Sequence, residues 1–397
     1  MPTTDRQLLY IHRTQGGGVE GVHIWGIAEA FYRSGIGVDV LSPGTLEHAP
    51  GNKMEAPSPK RTRASFSLIS RYAPELIFEL MEIAYNFVTW WRINKSGIDR
   101  YQAVFERYAI FAVVGACLAR TKKIPLILEI NYTAMSPLVR QRSMLLKPLA
   151  RIVDRWVFST ASLLTPVSSN LKTELMQFYG VPEHKILVLP NAADPKQFLL
   201  NASQKTESTE QIIGFVGGFY PWHGLSLLLD AYSEIAPQFP KARIMLIGDG
   251  PELDNIKNKA TALGLSDRVQ FVGRVTHDEL PLLMAQFYIG VMPDSNDYGS
   301  PMKIFEYMAL GIPVVAPDYG PIRDVIEDGK QGLVFQRKNQ HSLAASLKKI
   351  LSAPLLAQQM GKAGRNCIEH EHNWDANVAK IVKTIPQLRA IQHARDN

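Results

Sequence analysis

Between Ser300 and Ala316 the chain carries two charges, Lys303 and Glu306, in a run that is otherwise apolar or small. Ser300 followed by Pro301 predicts a helix start, because serine caps free backbone N–H groups and proline fits the first helical position, where its missing donor costs nothing. The helix runs through Met302, Ile304, Phe305, Tyr307, Met308 and Leu310 and stops at Gly311, which takes the left-handed conformation readily. Apolar nearly all round, it is expected to be buried, with Pro313 to Ala316 as the core strand that follows. N–H groups opening such a helix behind a loop of small residues favour an anion, and phosphate is the obvious guest. Glu306 lies well inside the helix, where an unpaired carboxylate is costly, so it needs a partner. Two fit: a salt bridge or capping bond from a neighbouring loop, or the hydroxyls of a bound sugar or ribose.

Other residues stand where a parallel strand ends, the place where open α/β sheets hold ligands. His223 follows a strand in the loop Gly217 to Gly224 and is able to donate to a phosphate oxygen; fixing its own loop is the alternative. Asn131-Tyr132-Thr133 follows the strand Leu126 to Ile130. Gly16-Gly17-Gly18 makes the first strand-to-helix turn, where missing side chains allow close approach to the backbone, although the pattern is not the GxGxxG of a dinucleotide fingerprint. His370 and His372, two apart, are able to touch a metal, but no carboxylate or cysteine set is read around them and a surface role is expected, while the absence of two aspartates at i and i+2 removes a DxD metal site.

The elements that must position these groups read as two consecutive α/β series. In the first, strands are expected at 7–11, 38–41, 103–106, 126–130, 163–167 and 186–189, with residues 44–66 a long mobile loop and 108–119 a buried helix. The second starts at Ile212 and alternates strands and helices in regular order. The fold class is therefore α/β, with two doubly wound Rossmann-like domains facing a cleft: residues 1–192, then 193–373, with a terminal helix at about 374–397 packing back on the first. A chain of 397 residues with 46% hydrophobic content has material for two such cores.

Charge is uneven, with 22 basic and 15 acidic side chains in residues 1–190 against 21 and 22 beyond. KRTR at Lys60 to Arg63 contributes, as does a helix from Arg140 to Arg155. There Leu145, Leu149, Ile152 and Trp156 form one stripe and Arg140, Lys147, Arg151 and Arg155 another. A stripe facing the core with a solvated basic face is the ordinary reading; peripheral contact with an anionic membrane is the other. Nucleic acid is disfavoured for want of a binding motif. No apolar run is long enough to span a bilayer, no export signal is visible, and two distant cysteines, Cys117 and Cys367, suit a reducing compartment, so a cytoplasmic location is expected.

Together FVGGFYPWHGLSLLLDA, LIGDGPE, VQFVGRV and SPMKIFEYMALGIPVVA followed by GLVF closely resemble the C-terminal half of family 4 glycosyltransferases, which have the GT-B fold. GGGVE, VFERY, IPLILEINY and VLPNAADPKQF resemble its N-terminal half, so the likeness covers essentially the whole chain. It implies a retaining hexosyltransferase that moves a sugar from a nucleotide sugar, UDP-linked on family frequency, to an acceptor hydroxyl in polysaccharide, glycolipid or glycosylated-metabolite synthesis. No cofactor and no metal are implied. Glu306 matches the second glutamate of the family's E-x7-E element, which binds the nucleotide ribose. The first glutamate, on the donor sugar, falls at Tyr298, a departure for which Asp297 or an amide near Ser300 substitutes. His223 matches a lysine on the diphosphate, while the paired arginine position holds Gly218 or Phe219, and Lys303 makes up that charge. Asn131 aligns with a histidine that closes over the sugar. Gly17 and Gly18 match a glycine loop facing the diphosphate, Arg274 and Val275 lie where the base is held, and Tyr298, Gly299, Ser300 and Met302 line the donor. Acceptor contacts are expected near residues 44–66 and 131–145. A catalytically silent nucleotide-sugar-binding protein and a sugar-nucleotide epimerase on the same scaffold are the competing readings.

Overall fold

The computed structural model describes residues 7–14, 18–49, 74–136, 143–199, 210–276 and 279–396. The first series of elements is β1 (Gln7–Ile11), α1 (Gly18–Arg33), β2 (Gly37–Leu41), β3 (Leu46–His48), α2 (Glu75–Lys95), β4 (Tyr101–Arg107), α3 (Val114–Lys122), β5 (Leu126–Ile130), α4 (Lys147–Thr160), β6 (Leu163–Pro166) and α5 (Ser169–Tyr179). The second is β7 (Gln211–Val216), α6 (Leu225–Ile235), β8 (Ala242–Ile247), α7 (Leu253–Ala262), β9 (Val269–Gly273), α8 (Leu280–Met284) and β10 (Phe287–Val291). It continues through α9 (Met302–Ala309), β11 (Val314–Pro317), α10 (Gly320–Arg323), β12 (Gly332–Phe335), α11 (Gln340–Leu351) and α12 (Pro354–His370), and the chain closes with α13 (Trp374–Thr384) and α14 (Pro386–Asp396).

These elements form two units, Met1–Leu189 with Trp374–Asn397, and Pro190–Asn373. Each holds a six-stranded sheet, ordered β3-β2-β1-β4-β5-β6 in the first unit and β12-β11-β10-β7-β8-β9 in the second. Counted from each unit's own first strand, the order is the same doubly wound one, with strands added outward on one side and then the other. All pairings are parallel except that of β2 with β3. The order reverses between β1 and β4 and between β7 and β10, and the carboxyl ends at such a reversal leave a crevice for ligands. Parallel strands are covered on both faces, which is why β5 is buried at every position.

In the second unit one face of the sheet packs on Leu228, Leu229, Tyr232 and Leu347, and the other on Phe305, Tyr307, Met308 and Ile322. Gly290 has no side chain because the Tyr307 ring fills the place, 2.5 Å from where a Cβ would stand. The Tyr307 hydroxyl accepts the Val216 N–H at 3.0 Å, so one side chain ties α9 to both β10 and β7. In the first unit α13 packs on α1, with Trp374 against Gly26 and edge-on to His23 at 4.9 Å.

Several expectations need correction. Residues 186–189 form no strand; Ile186 makes one isolated bridge to Leu164, and the Leu187 and Leu189 amides bond to β6 without completing a ladder. Leu46–His48, expected in a loop, is an antiparallel edge strand on β2. The helix expected over 108–119 begins only at Val114, since Phe111 has φ +60° and the Tyr108 hydroxyl is drawn to Asp154 at 2.7 Å. The Leu145, Leu149 and Ile152 stripe does not face the core: these residues are 57%, 41% and 67% exposed, while Ala150, Asp154, Val157 and Phe158 face inward. Arg140, Lys60 to Arg63 and most of the 44–66 loop lie outside the described residues. Among the described residues, no helix is long and apolar enough to cross a membrane.

Candidate active site

α9 is a helix for the reasons its sequence gives, and it ends as expected: Gly311 has φ +70°, its N–H bonds Met308 and the Ile312 N–H bonds Tyr307. Its start differs. The helix begins at Met302 with Pro301 before it, and Ser300 does not cap it. Instead Ser300 Oγ accepts the Asn191 N–H at 3.0 Å and its carbonyl accepts Asn191 Nδ2 at 2.6 Å. A contact more than a hundred residues away in sequence has taken the cap, leaving the N–H groups of Met302 and Lys303 without a partner among the described residues. The amides of Tyr298 and Gly299 are engaged, both donating to Asn296 Oδ1 at 3.1 and 2.5 Å.

Lys303 turns toward the end of β7. Its Nζ lies 4.2 Å from the Phe215 ring centroid, is sealed from solvent and has no hydrogen-bond partner. Gly217, at φ +142°, lets it come close: a Cβ there would stand 3.0 Å from Nζ. Glu306, one turn on, is 7% exposed. Its carboxylate has neither an ion pair nor a hydrogen bond among the described residues, so the protein-borne salt bridge or cap considered for it is absent. Burial drives Lys303 down to about 7, opposed by attraction to Glu306. Burial likewise pushes Glu306 up to about 7, opposed by Lys303. Two oppositely charged groups thus lie one turn apart on α9, and only their mutual attraction offsets their desolvation.

His223 sits in the short turn Pro221–His223 at the same strand end. Its Nδ1 donates to the Gly218 carbonyl, so Nε2 is the ring atom left for other partners. Burial and then the Lys303 charge lower it to about 4, which leaves a neutral ring in ordinary conditions, an acceptor at Nε2 rather than a cation. Gly218 is required where it is because a Cβ would meet the Tyr220 ring at 2.5 Å, and Tyr220 stacks on Trp222 at 4.5 Å. Gly224 lies against Asp294, a contact that joins the loops after β7 and β10, and Asp294 accepts the Tyr319 hydroxyl from the loop after β11 at 2.5 Å.

Gly218, His223, Ser300, Met302, Lys303 and Glu306 therefore gather at the reversal of the second sheet, with Tyr298 and Gly299 on the adjoining loop. Asp297 is not directed there; it pairs with Arg337 at 3.1 Å. Arg274 and Val275 follow β9, two strands away from β7, and the exposed Arg274 pairs with Asp249 at 3.3 Å. Gly17 lies outside the described residues, and Gly18 opens α1 in the first unit.

Asn131, also in the first unit, belongs to a cluster that the motif reading passed over. Its Nδ2 donates to Glu129 Oε1 at 2.6 Å; Arg107 reaches the same oxygen at 2.7 Å, and His23 Nε2 meets Oε2 at 2.6 Å. Burial alone would raise the Glu129 carboxyl, yet attraction to His23 and Arg107 and the bonds from His23 and Asn131 hold it at about 2. Glu106, beside it on β4, is pushed up to about 7 by burial, against the pull of Arg13. The signal was present: a carboxylate within LILEI and another within VFER are charges inside strands covered on both faces.

Residues 197–367 match the sequence family described as Glycosyl transferases group 1, and residues 16–197 match Glycosyltransferase Family 4. A glycosyltransferase of Methanocaldococcus jannaschii, itself uncharacterized, is 24% identical over 370 residues, 90% of this chain and 91% of that one. The GDP-mannose-dependent alpha-(1-6)-phosphatidylinositol monomannoside mannosyltransferase of Mycobacterium tuberculosis is 26% identical over 248 residues, 59% of this chain and 64% of that protein. Among solved structures, Anabaena HepE in complex with UDP superposes with a TM-score of 0.70 at 19% identity, covering 96% of this chain and all (100%) of that one. Sucrose-phosphate synthase from Thermosynechococcus elongatus gives 0.72 at 19% identity over 97% and 100% of the two chains. At such identities the likeness is one of fold.

Proposed function

Since the chain belongs to the family 4 glycosyltransferases of GT-B fold, we propose that it is a retaining, metal-independent hexosyltransferase that uses a UDP-sugar and an acceptor hydroxyl. The observation that carries the donor assignment is the buried pair Lys303 and Glu306, without a hydrogen bond to either side chain among the described residues, behind the open N–H groups of α9. A diphosphate fits the cationic half: Lys303 Nζ and the Met302 and Lys303 amides face it, and each charge-assisted bond contributes about 1.5 to 3 kcal/mol. The ribose hydroxyls fit the anionic half as donors to Glu306. Gly218 leaves room for the phosphates, His223 lies beside them, and Tyr298, Gly299 and Ser300 border the sugar. Arg274 and Val275 hold the base. Asn131, Gly17 and Gly18 take the roles that the family resemblance gives them, and the first unit takes the acceptor. UDP-bound neighbours of the same fold support uridine, while the GDP-mannose-dependent relative makes guanosine the competitor to test.

The chemistry asks little acid–base work of the protein. The bond from the anomeric carbon to the β-phosphate oxygen breaks, the acceptor oxygen bonds the same face, and its proton goes to the departing phosphate. Lys303 and the helix amides hold the growing negative charge, which is stabilisation by preorganised dipoles and charge in a site closed to water. Cys117, half-buried, and Cys367, buried, form no disulfide among the described residues, which suits a cytoplasmic enzyme.

The test is nucleotide release from a panel of UDP- and GDP-sugars, with the product anomer read by NMR and chelator added in parallel. Retained configuration, chelator resistance and loss of at least about a hundredfold in transfer for Glu306→Ala are expected, the last because the ribose anchor positions the donor. Near-wild-type turnover in Glu306→Ala removes that residue from the site, and inverted product overturns the retaining reading.

A further inference from the structure

α2 is amphipathic the wrong way round. At about 100° per residue, Leu76, Ile77, Leu80, Phe87, Val88 and Trp91 fall on one stripe, and they are 44%, 49%, 51%, 78%, 46% and 62% exposed. The opposite side carries the polar residues and faces the protein. Glu79, fully buried, accepts the N–H groups of Leu145 and Leu146 at 3.0 and 2.8 Å. Asn86 accepts from Arg13 and Val113 at 2.6 and 3.0 Å and donates to the Phe111 carbonyl at 2.8 Å. Arg92 donates to the carbonyls of Ser42 and Pro43 at 2.9 and 3.0 Å. These bonds fix the rotation of the helix, so its apolar stripe cannot turn inward.

The same Glu79 bonds set the start of α4 beside α2, and there the exposed stripe of Leu145, Leu149 and Ile152 runs next to exposed Lys147, Arg151 and Arg155. Lys95 adds a cation at the end of α2, 5.4 Å from the Trp91 ring. Of the carboxylates on the two helices, Glu79 and Asp154 are buried, leaving Glu75 and Glu82 half-buried. Apolar and aromatic side chains bordered by cations match the boundary between acyl chains and anionic head groups, and neither helix is able to span a bilayer.

We propose that this face of the first unit docks on an anionic lipid bilayer, with the α2 stripe in the interface and Lys95, Lys147, Arg151 and Arg155 on the head-group phosphates. The proposal is independent of the donor site and stands or falls without it. The experiment is co-sedimentation of the full chain with phosphatidylcholine vesicles, alone or with about a third phosphatidylglycerol. Capture by the anionic vesicles only, weakening as salt rises, is expected. Phe87→Ser/Trp91→Ser should reduce partitioning by about tenfold or more, since each exposed ring contributes to burial. Arg151→Gln/Arg155→Gln should reduce it about twenty-five-fold, at about fivefold per basic side chain. Both variants change only exposed positions, and an unchanged circular dichroism spectrum and melting temperature confirm that they fold. Wild-type chain left in the supernatant with either vesicle, or capture unchanged in both variants, overturns the proposal. So does a wild-type dimer that Phe87→Ser/Trp91→Ser converts to monomer while vesicles are ignored, which would give the face to a second copy.

Discussion

Replacing Lys303 by Met and Glu306 by Gln together should make the free protein more stable and blind to nucleotide. Burial takes Lys303 from 10.5 down to about 7 and Glu306 from 4.5 up to about 7. A raised carboxyl contributes stability that is full below 4.5 and lost as pH climbs toward 7; a depressed ammonium contributes stability that is full above 10.5 and lost as pH falls through 7. Near pH 7 both contributions are gone, so there the pair is a net cost. Neutral groups in place of a buried ion pair gain about 1 to 4 kcal/mol. Against this stands the lost cation contact with Phe215, about 0.5 to 2 kcal/mol, part of which the methionine sulfur regains on the same ring. A gain of about 1 to 3 kcal/mol remains, and at about 2 to 4 °C per kcal/mol the melting temperature rises by several degrees. The gain should be largest near neutral pH and smaller on either side. Calorimetry of both proteins across pH, with and without UDP, reads it directly. UDP at about a hundred times its dissociation constant should add about 2.7 kcal/mol to the wild type and nothing to the variant. A variant that melts below the wild type at neutral pH, or that keeps the UDP shift, refutes the claim that the pair awaits a ligand.

Three other outcomes follow from named contacts. His223→Lys puts a permanent cation where a neutral ring now stands, so UDP should bind about ten times tighter or more by titration calorimetry; unchanged affinity would place His223 outside phosphate reach. Glu129→Gln should cost about 3 kcal/mol in denaturant unfolding, because it strips the partner from Arg107. Glu129, held at about 2, contributes stability present above 4.5 and lost as pH falls toward 2, so the variant should also unfold less steeply across that acid range. Gly290→Ala drives a methyl into the Tyr307 ring, so a loss of about 1 to 3 kcal/mol and weaker UDP binding are expected though Gly290 touches no ligand group; wild-type values on both would show that α9 does not depend on that contact.

Most of α9 was legible because local causes decide it: apolar residues on every face, and a glycine free to take the left-handed conformation. The two sheets were legible for the same kind of reason, since buried parallel strands read as short apolar runs between turn residues. What escaped the sequence was decided at a distance. Ser300 has the composition of a cap, yet Asn191 claims its hydroxyl, and no window around residue 300 contains that fact. Residues 186–189 have the composition of a strand, but they reach the edge of the sheet at a single bridge.

The outward stripe on α4 shows the limit most clearly. Periodicity tells that a helix has two unlike faces and is silent on which of them meets the protein. The default that apolar faces inward fails here, because Glu79 on a neighbouring helix binds the amides of Leu145 and Leu146 and fixes how α4 begins. Charges that interrupt an apolar pattern carry more information than the pattern itself, since each must be answered by something. Glu79 is answered by amides and Glu129 by Arg107, His23 and Asn131, so both are explained by the fold. Lys303 and Glu306 are answered only by their mutual attraction and by the Phe215 ring beside Lys303, with no hydrogen bond to either side chain among the described residues. That contrast within one chain, more than any motif, is the reason for assigning Lys303 and Glu306 to a ligand and Glu79 and Glu129 to the fold.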